Sequence, residues 1–133
     1  MSAPYEGGCL CGQVRWRATA EPANVRVCHC TLCQKATGGP FFARALFLEP
    51  GIAFTGETTR WASSARLDRL SCARCGTPMF AQGKNDPPRL AVSLATFDDP
   101  GAVAPDMHFF TSTKLPWLEL ADGLPQFPDR PPG

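Results

Sequence analysis

The sequence predicts a mainly β domain, and three observations support this class. Apolar and polar residues alternate over short segments of strand length. Turn-forming residues divide these segments, since the 133-residue chain contains 14 prolines and 12 glycines. No long segment has apolar residues that recur with the period of about 3.6 residues that marks an amphipathic helix. With 44% hydrophobic residues the chain can bury one core, so we expect a single domain over residues 1–133.

Individual elements follow from local patterns. The first predicted strand spans 13–19, where apolar residues occupy every second position. A second strand, at 24–27, leads into a cysteine-rich segment, and 31–36 is predicted to form one helical turn with Thr31 as its N-cap. Further strands are predicted at 41–48, 52–54, 58–61, 67–71, 78–82, 89–97 and 107–111, those at 78–82 and 89–97 forming a hairpin with a polar loop. Residues 1–6 are predicted to be a terminal tail, and residues 125–133 a tail that is ordered at its start and frayed at its end.

Seven cysteines form three clusters, spaced as C-x-C, C-x-C-x-x-C and C-x-x-C. An odd number of thiols cannot be fully paired in disulfides, and bridges within such short spacings are strained. Clustered cysteines in this arrangement are more typical of metal ligands. The pattern therefore predicts metal binding by Cys9 and Cys11, by Cys28, Cys30 and Cys33, and by Cys72 and Cys75.

Seven thiols divide naturally into four and three. Four thiolates complete a tetrahedral zinc shell, whereas three leave one position open, as catalytic zinc sites do. The middle cluster is the candidate for the open site because one short segment supplies all three ligands. His29, which lies inside this cluster, is predicted to make a hydrogen bond or packing contact and to point away from the metal.

Charge and composition exclude several classes of function. The net charge is only +1 and no long basic run exists, which argues against nucleic acid or an acidic membrane as a partner. The first eight residues lack the basic start and apolar centre of a signal peptide. No run of about 18 apolar residues is present, so no membrane span is predicted. We expect a cytoplasmic protein, in which clustered thiols stay reduced.

Five motifs carry a resemblance to a known family. Gly-Gly-Cys-Leu-Cys-Gly occupies 7–12, Cys-His-Cys-x-x-Cys-Gln-Lys occupies 28–35 and Cys-x-x-Cys-Gly-Thr occupies 72–77. Thr-Lys-Leu-Pro-Trp follows at 113–117, and Asp-Gly-Leu-Pro at 122–125. In this order the motifs resemble the glutathione-dependent formaldehyde-activating enzyme family, which includes the centromere protein V-like domains.

The resemblance covers about residues 7–127 and implies that this range is the core of one domain. It implies an antiparallel, Mss4-like β-tent fold with two zinc ions per chain. A structural zinc is implied on the first and last cysteine pairs, and a catalytic zinc on the middle three cysteines. The implied ligands are Cys9, Cys11, Cys72 and Cys75 for the structural zinc, and Cys28, Cys30 and Cys33 for the catalytic zinc.

The donor set suggests a chemistry for the open site. A zinc ion with three thiolate ligands is predicted to favour a soft fourth ligand over hydroxide. A substrate thiol in that position would lose its proton and be oriented for attack on a carbonyl. We therefore expect a carbon–sulfur lyase or synthase that uses a small thiol–aldehyde adduct, resembling S-hydroxymethylglutathione. The middle metal is expected to be lost more easily than the structural one.

The alternative hypothesis is a non-enzymatic zinc module with a binding or chaperone-like role. It requires a fourth protein ligand for the middle cluster, and His108 is the only other histidine besides His29. If His108 completes that shell, the site is structural; otherwise we expect His108 to be a hydrogen-bonded structural residue. A nucleic-acid-binding zinc finger is disfavoured by the charge and by the lack of paired histidine ligands.

The remaining polar and aromatic candidates receive simpler predictions. Lys35 and Arg44 could attract an anionic thiol, but a solvated surface position is expected for each. The aromatic residues are expected to lie in the core, with the exception that one of the two adjacent phenylalanines could form a wall of the site. These aromatic residues are Trp16, Phe41, Phe42, Trp61 and Trp117.

Overall fold

The alternating segments pair into two β-sheets in the computed structural model, which describes residues 2–85 and 87–131. Strands make up 41% of the residues and helices 10%, which confirms the mainly β class. The single α-helix of the described ranges, α1 (Thr31–Thr37), is only seven residues long. Within the same ranges, no helix has the length and apolar character needed to cross a membrane.

Three strands form a small antiparallel sheet, with the second strand in the centre. They are β1 (Tyr5–Gly8), β2 (Arg15–Ala18) and β5 (Ile52–Thr55). The prediction that residues 1–6 are a tail was wrong, because Tyr5 is buried and pairs with Ala18. The Tyr5 hydroxyl also donates a hydrogen bond to Glu21 Oε1 at 2.5 Å. A strand at the very start of the chain is therefore fixed by a neighbouring strand and by a buried side chain.

The other eight strands form one large sheet. Its spatial order is β11 (Gln126–Phe127), β10 (His108–Phe109), β3 (Asn24–Cys28), β4 (Phe42–Leu48), β9 (Arg89–Ser93), β8 (Pro78–Gly83), β7 (Leu67–Cys72) and β6 (Thr58–Ser64). The pairing is antiparallel except at one edge, where β10 runs parallel to both β3 and β11. Strands β10 and β11 come from a part of the chain distant from β3, so no hairpin connects them to it. The ordered start predicted for the tail at 125–133 is confirmed, because β11 belongs to the sheet.

The predicted hairpin of β8 and β9 is present, and part of its polar loop, Asp86, lies outside the described residues. Strand β9 ends at Ser93, earlier than predicted, because Leu94–Thr96 forms a 3₁₀ turn. The Thr96 hydroxyl donates to the Ser93 carbonyl at 2.7 Å and accepts from Trp16 Nε1 at 3.1 Å. This turn therefore joins the large sheet to the small one.

The central strands of the large sheet have two different faces, as the period of two requires. On β4, Ala45 and Phe47 are fully buried and pack in one cluster with Trp16 of the small sheet. Phe42 and Leu46 of the same strand point to the opposite face, which is the floor of a groove. The largest fully buried side chains all belong to the first face and its partners: Trp16, Phe47, Leu70, Met79 and Leu90.

The tryptophan predictions are confirmed in one case and wrong in two. Trp16 is 2% exposed and sits at the centre of the core. Trp61 is 52% exposed because it lies on β6, the edge strand, which is exposed over most of its length. Trp117 is 70% exposed and lies in a turn outside the sheets. An aromatic residue type alone does not show which strand is central and which is an edge.

Candidate metal centres and the groove beside them

The first candidate centre brings together the two outer cysteine pairs. Cys9 and Cys11 follow β1, whereas Cys72 ends β7 and Cys75 lies in the turn after it. Gly76 completes this turn with a φ of 77°, and its N–H donates to the Cys72 carbonyl at 3.0 Å. A residue with a Cβ is strained at that φ, so glycine suits the position. The four sulfurs lie within 4.8 Å of one another.

The distances in this cluster fit a tetrahedral metal. The Sγ atoms of Cys9 and Cys11 are 3.6 Å apart, and those of Cys11 and Cys72 are 3.7 Å apart. Zinc–sulfur bonds of about 2.3 Å in a tetrahedron place sulfurs about 3.8 Å apart, whereas a disulfide requires about 2.05 Å. Backbone N–H groups of Val14 and Cys75 donate to Cys9 Sγ and Cys72 Sγ, which suits thiolates. These four cysteines could therefore hold a metal ion.

The middle cluster is built on the junction between β3 and α1. Cys28 ends the strand, and Cys33 lies in the first turn of the helix. The N-cap of α1 is Cys30, so the prediction of Thr31 was wrong by one position. Cys30 has an extended backbone, and its Sγ accepts a hydrogen bond from the Cys33 N–H at 3.4 Å. Three sulfurs within 4.8 Å of one another result from this strand-to-helix turn. They too could hold a metal ion.

The thiols of the middle cluster differ in pKa. Cys28 and Cys33 are buried, and Cys30 is half-buried. The Cys28 thiol, and then the Cys33 thiol, donate to Cys30 and lower its pKa, and the contact with Cys30 raises the pKa of Cys28. The thiolate form, which is the form that binds a metal, is therefore favoured at Cys30 over Cys28.

His108 does not complete the middle cluster. Its Nδ1 lies 2.8 Å from His29 Nε2, and its Nε2 lies 2.7 Å from Asp122 Oδ2. Both ring nitrogens are therefore engaged elsewhere. Within residues 2–85 and 87–131, the potential ligand group at this site consists of the three cysteines alone. A structural second site would require His108 as the fourth ligand of the middle cluster, and His108 does not occupy that position.

His29 is a fully buried residue held from both sides. Its Nε2 contacts His108, its carbonyl accepts from Gln34 Nε2 at 2.8 Å, and the same carbonyl accepts from Thr113 Oγ1 at 3.0 Å. Burial, followed by the charges of His108 and Lys114, lowers the pKa of His29 to about 4. A neutral His29 therefore ties the cysteine-rich turn to the C-terminal part of the chain, as expected for a residue in a hydrogen-bonding role.

The middle cluster opens on a groove of about 1020 Å³ whose floor is the second face of the large sheet. Phe42, buried on β4, lines this groove, so the expected aromatic wall is present. No carboxylate lines the groove among the described residues. In contrast, five arginines do: Arg44, Arg66, Arg69, Arg89 and Arg130. The space next to the three sulfurs is therefore strongly favourable to an anion.

The prediction of a solvated surface position for Arg44 was wrong. Arg44 is half-buried in the groove instead of lying on the solvated surface, whereas Lys35 is exposed as expected. Burial, followed by the charge of Arg26, lowers the pKa of Arg44 to about 10. Its guanidinium donates to Asn24 Oδ1 and lies 5.4 Å from the centre of the Phe109 ring. A half-buried guanidinium that contacts an amide oxygen and an aromatic ring favours an anionic ligand.

The other four arginines of the groove were not identified from the sequence. A signal was present, because Arg89 is two residues from Ala91 and Arg69 is two residues from Leu67, and each pair shares one face of its strand. The alternation shows that the two members of a pair lie together. Only the pairing of the strands shows that both faces belong to the same groove.

Comparisons with known proteins identify the family of this chain. The family model described as glutathione-dependent formaldehyde-activating enzyme matches residues 4–113. A Schizosaccharomyces pombe protein named as an uncharacterized lyase is 32% identical over 84 residues, which are 61% of this chain and 61% of that protein. The match thus spans less than two thirds of that relative's length.

Two further comparisons cover more of the chain. A Halomonas elongata protein, provisionally named as a glutathione-dependent formaldehyde-activating enzyme, is 25% identical over 125 residues, which are 86% of this chain and 80% of that protein. A crystal structure of a Rhodobacter sphaeroides protein matches with a TM-score of 0.59 and 19% identity, over 91% of this chain and 98% of the other, and supports the fold alone. On the evidence of the family model, this chain belongs to the glutathione-dependent formaldehyde-activating enzyme family.

Proposed function

We propose that this protein is a zinc-dependent carbon–sulfur lyase or synthase that acts on a small thiol–aldehyde adduct of the S-hydroxymethylglutathione kind. Family membership and a relative named as a lyase support the reaction class. We assign the structural zinc to the outer cysteine pairs and the catalytic zinc to the middle cluster. The ligands would be Cys9, Cys11, Cys72 and Cys75 for the first ion, and Cys28, Cys30 and Cys33 for the second.

The observation that carries the proposal is an incomplete ligand set beside an anion-binding groove. Three sulfurs within 4.8 Å of one another leave room for one more ligand in a tetrahedral shell. The groove next to them is lined by five arginines. A structural zinc site has no need of either feature, whereas a site that receives an anionic thiol needs both.

The proposed reaction requires no redox partner. In the synthetic direction the thiol sulfur forms a bond to the aldehyde carbon, the carbonyl π bond opens, and the thiol proton ends on the new hydroxyl group. In the lytic direction the carbon–sulfur bond breaks and the proton returns to sulfur. Zinc, when bound, would supply Lewis acidity that favours the thiolate form of the substrate. The described lining residues include neither a carboxylate nor an imidazole, so the proton exchanges with solvent.

The chain's own residues bind and orient the substrate in this proposal. Guanidinium groups such as those of Arg44 and Arg89 would bind carboxylates of the thiol compound, since arginine binds carboxylates through paired hydrogen bonds. Phe42 provides an apolar surface beside the sulfurs. Fixing the anionic groups in the groove would place the sulfur at the open position of the cluster, and this positioning lowers the entropic cost of the reaction.

Cobalt substitution tests the proposal. Cobalt(II) replaces zinc in thiolate sites, and its visible spectrum changes when a ligand enters the open position. We expect a spectral change on titration with glutathione or mercaptosuccinate, and a weaker response to the neutral 2-mercaptoethanol and the cationic cysteamine. Cys30→Ser, which lacks one sulfur of the middle cluster, is the control and should not respond.

Two outcomes would change the proposal in different ways. If the spectrum stays constant with every thiol while the middle site holds cobalt, the enzyme hypothesis fails and the non-enzymatic zinc module is favoured. If other anionic thiols give the response and glutathione does not, the mechanism stands and glutathione is excluded as the substrate. Exchange between free formaldehyde and its thiol adduct, measured by NMR with and without protein, then tests whether the bound thiol reacts.

A further inference from the structure

Arg69 is a buried cation that points at the middle cluster. It lies in the interior of the large sheet, where β7 pairs with β6 on one side and β8 on the other. The residue is 6% exposed, and its Nη2 lies 3.5 Å from Cys33 Sγ. Of the groove arginines, it is the one with a hydrogen bond to a cluster sulfur among the described contacts.

The surroundings of this guanidinium lack an ordinary counter-ion. Its Nε donates to Ser63 Oγ at 3.0 Å, and its Cζ lies 5.7 Å from the centre of the Phe42 ring. Among the ion pairs of residues 2–85 and 87–131, none joins Arg69 to a carboxylate. Burying a guanidinium without a compensating negative charge is costly. The thiolates of the middle cluster are the negative charge that the fold brings to it.

We propose that Arg69 is the built-in counter-ion of the cluster formed by Cys28, Cys30 and Cys33, and that its charge allows an anionic thiolate to enter as the fourth ligand. This inference rests on the proposed function. Three thiolates and a divalent ion carry one net negative charge, and a fourth thiolate adds a second. The positive charge of Arg69 offsets the negative charge of the incoming thiolate. The repulsion between this thiolate and the three cluster thiolates is therefore reduced.

The position of Arg69 is fixed before any ligand arrives. Strand pairing on both sides holds its backbone, Ser63 Oγ accepts a hydrogen bond from Nε, and Cζ lies over the Phe42 ring. A charge that is already in place costs no reorganisation when the ligand binds. Arg69 is therefore a positioning residue that acts through Cys33, and its effect falls on the charged ligand more than on the metal itself.

The test compares Arg69→Met with Arg17→Met, a matched control on β2 whose side chain is 57% exposed. Zinc affinity of the middle cluster is measured by competition with a chromophoric chelator, and thiol affinity by glutathione titration of the cobalt protein. We expect Arg69→Met to weaken glutathione binding by at least about tenfold, because a charge–charge attraction is lost. Zinc binding should weaken much less, and the sulfur-to-cobalt charge-transfer band should shift. Arg17→Met should leave all three unchanged. Arg69→Lys, which keeps the charge, should restore most of the thiol affinity.

The outcomes separate this inference from the proposed function. If the wild-type cobalt protein binds no thiol, the proposed function fails and the inference fails with it. If the wild type binds glutathione and Arg69→Met binds it equally well, the inference alone is overturned. An equal loss of zinc and thiol affinity would also overturn it, because that result indicates a merely structural role. Should Arg69→Met fail to fold by circular dichroism, Arg69→Gln is the second neutral variant and carries the same expectations.

Discussion

At the scale of single residues, Cys30 serves two purposes at once. Its backbone starts α1, and its sulfur accepts the Cys33 N–H that a serine or aspartate oxygen accepts at many other helix starts. The same sulfur belongs to the middle cluster. Because the cap holds Cys30 and Cys33 in register, the three-residue spacing between them is dictated by the first turn of the helix.

Tyr5 allows a residue-scale prediction that depends on pH. The hydrogen bond to Glu21, together with burial, raises the pKa of Tyr5 to about 12 from an ordinary value of 10.0. A raised folded-state pKa means that this contribution to stability is fully present below about pH 10 and is lost as the pH rises toward 12. Tyr5 is the only tyrosine, so absorbance at 295 nm reports its ionisation alone. We expect a midpoint near pH 12 in the folded protein.

The control for this titration is Glu21→Gln, which keeps the shape but removes the charge that faces Tyr5. In that variant the Tyr5 midpoint should move down toward 10, and in guanidinium chloride both proteins should titrate near 10. A wild-type midpoint near 10 in the folded protein would show that the Tyr5–Glu21 hydrogen bond is not formed in solution.

At the scale of secondary structure elements, β7 connects the two candidate centres. Cys72 at its end belongs to the outer cluster, and Arg69 three residues earlier contacts the middle cluster. The alternation along the strand places Leu70 in the core between them. A single strand in the sheet interior therefore sets the position of a ligand at one centre and of a counter-ion at the other.

Strand β1 provides an element-scale prediction. Gly7 faces the ring of Trp16, and a Cβ built there would lie 2.1 Å from the Thr96 carbonyl oxygen and 2.6 Å from Trp16. We expect Gly7→Ala to lower the free energy of unfolding by about 1–3 kcal/mol, because the rigid backbone of the neighbouring turn must move. Urea denaturation monitored by tryptophan fluorescence measures this change.

Gly39→Ala is the matched control for the strand variant. A Cβ at Gly39 would meet only the Thr37 hydroxyl, at 3.7 Å, which is ordinary contact, and the backbone there is not left-handed. Its unfolding free energy should therefore change by less than about 0.5 kcal/mol. Equal stabilities for the two alanine variants would contradict the close approach of β1 to the 3₁₀ turn.

At the scale of the whole molecule, the outer cluster joins the two sheets. Cys9 and Cys11 follow a strand of the small sheet, whereas Cys72 ends a strand of the large sheet and Cys75 lies in the turn after it. A metal on these four ligands closes a chain loop of about sixty residues and restricts the unfolded state. We propose on this basis that the core at about 7–127 folds as one unit.

The whole-molecule prediction compares one cysteine from each cluster. Cys72→Ser should remove one zinc per chain and leave the protein unfolded or insoluble, because structural zinc contributes on the order of 10 kcal/mol and a whole domain is stable by about 5–15 kcal/mol. Cys30→Ser should remove the other zinc and retain most of the fold. Metal content by atomic emission and thermal melting followed by circular dichroism measure both effects.

The opposite pattern would be informative as well. If Cys30→Ser collapses the protein as completely as Cys72→Ser does, both centres are structural or their roles are exchanged. If Cys72→Ser keeps its melting temperature and its zinc content, the outer cluster is not a metal site.

The sequence alone was sufficient wherever the relevant contacts are local. The alternation of residues predicted most strands, and the spacing from Cys28 to Cys33 predicted a three-sulfur cluster, because the geometry of one strand-to-helix turn depends only on neighbouring residues. The cysteine count and the family motifs also predicted the division into four and three, which the positions of the sulfurs match.

The tertiary structure decided everything that depends on residues far apart in the chain. His29 and His108 are 79 positions apart, so their hydrogen bond, which engages His108 away from the cluster, has no local signal. The parallel edge strands, the half-buried position of Arg44 and the groove of arginines likewise result from strand pairing over long separations. A period of two shows which side chains share a face of a strand; only the packing of the sheets decides which face becomes the core and which becomes the site.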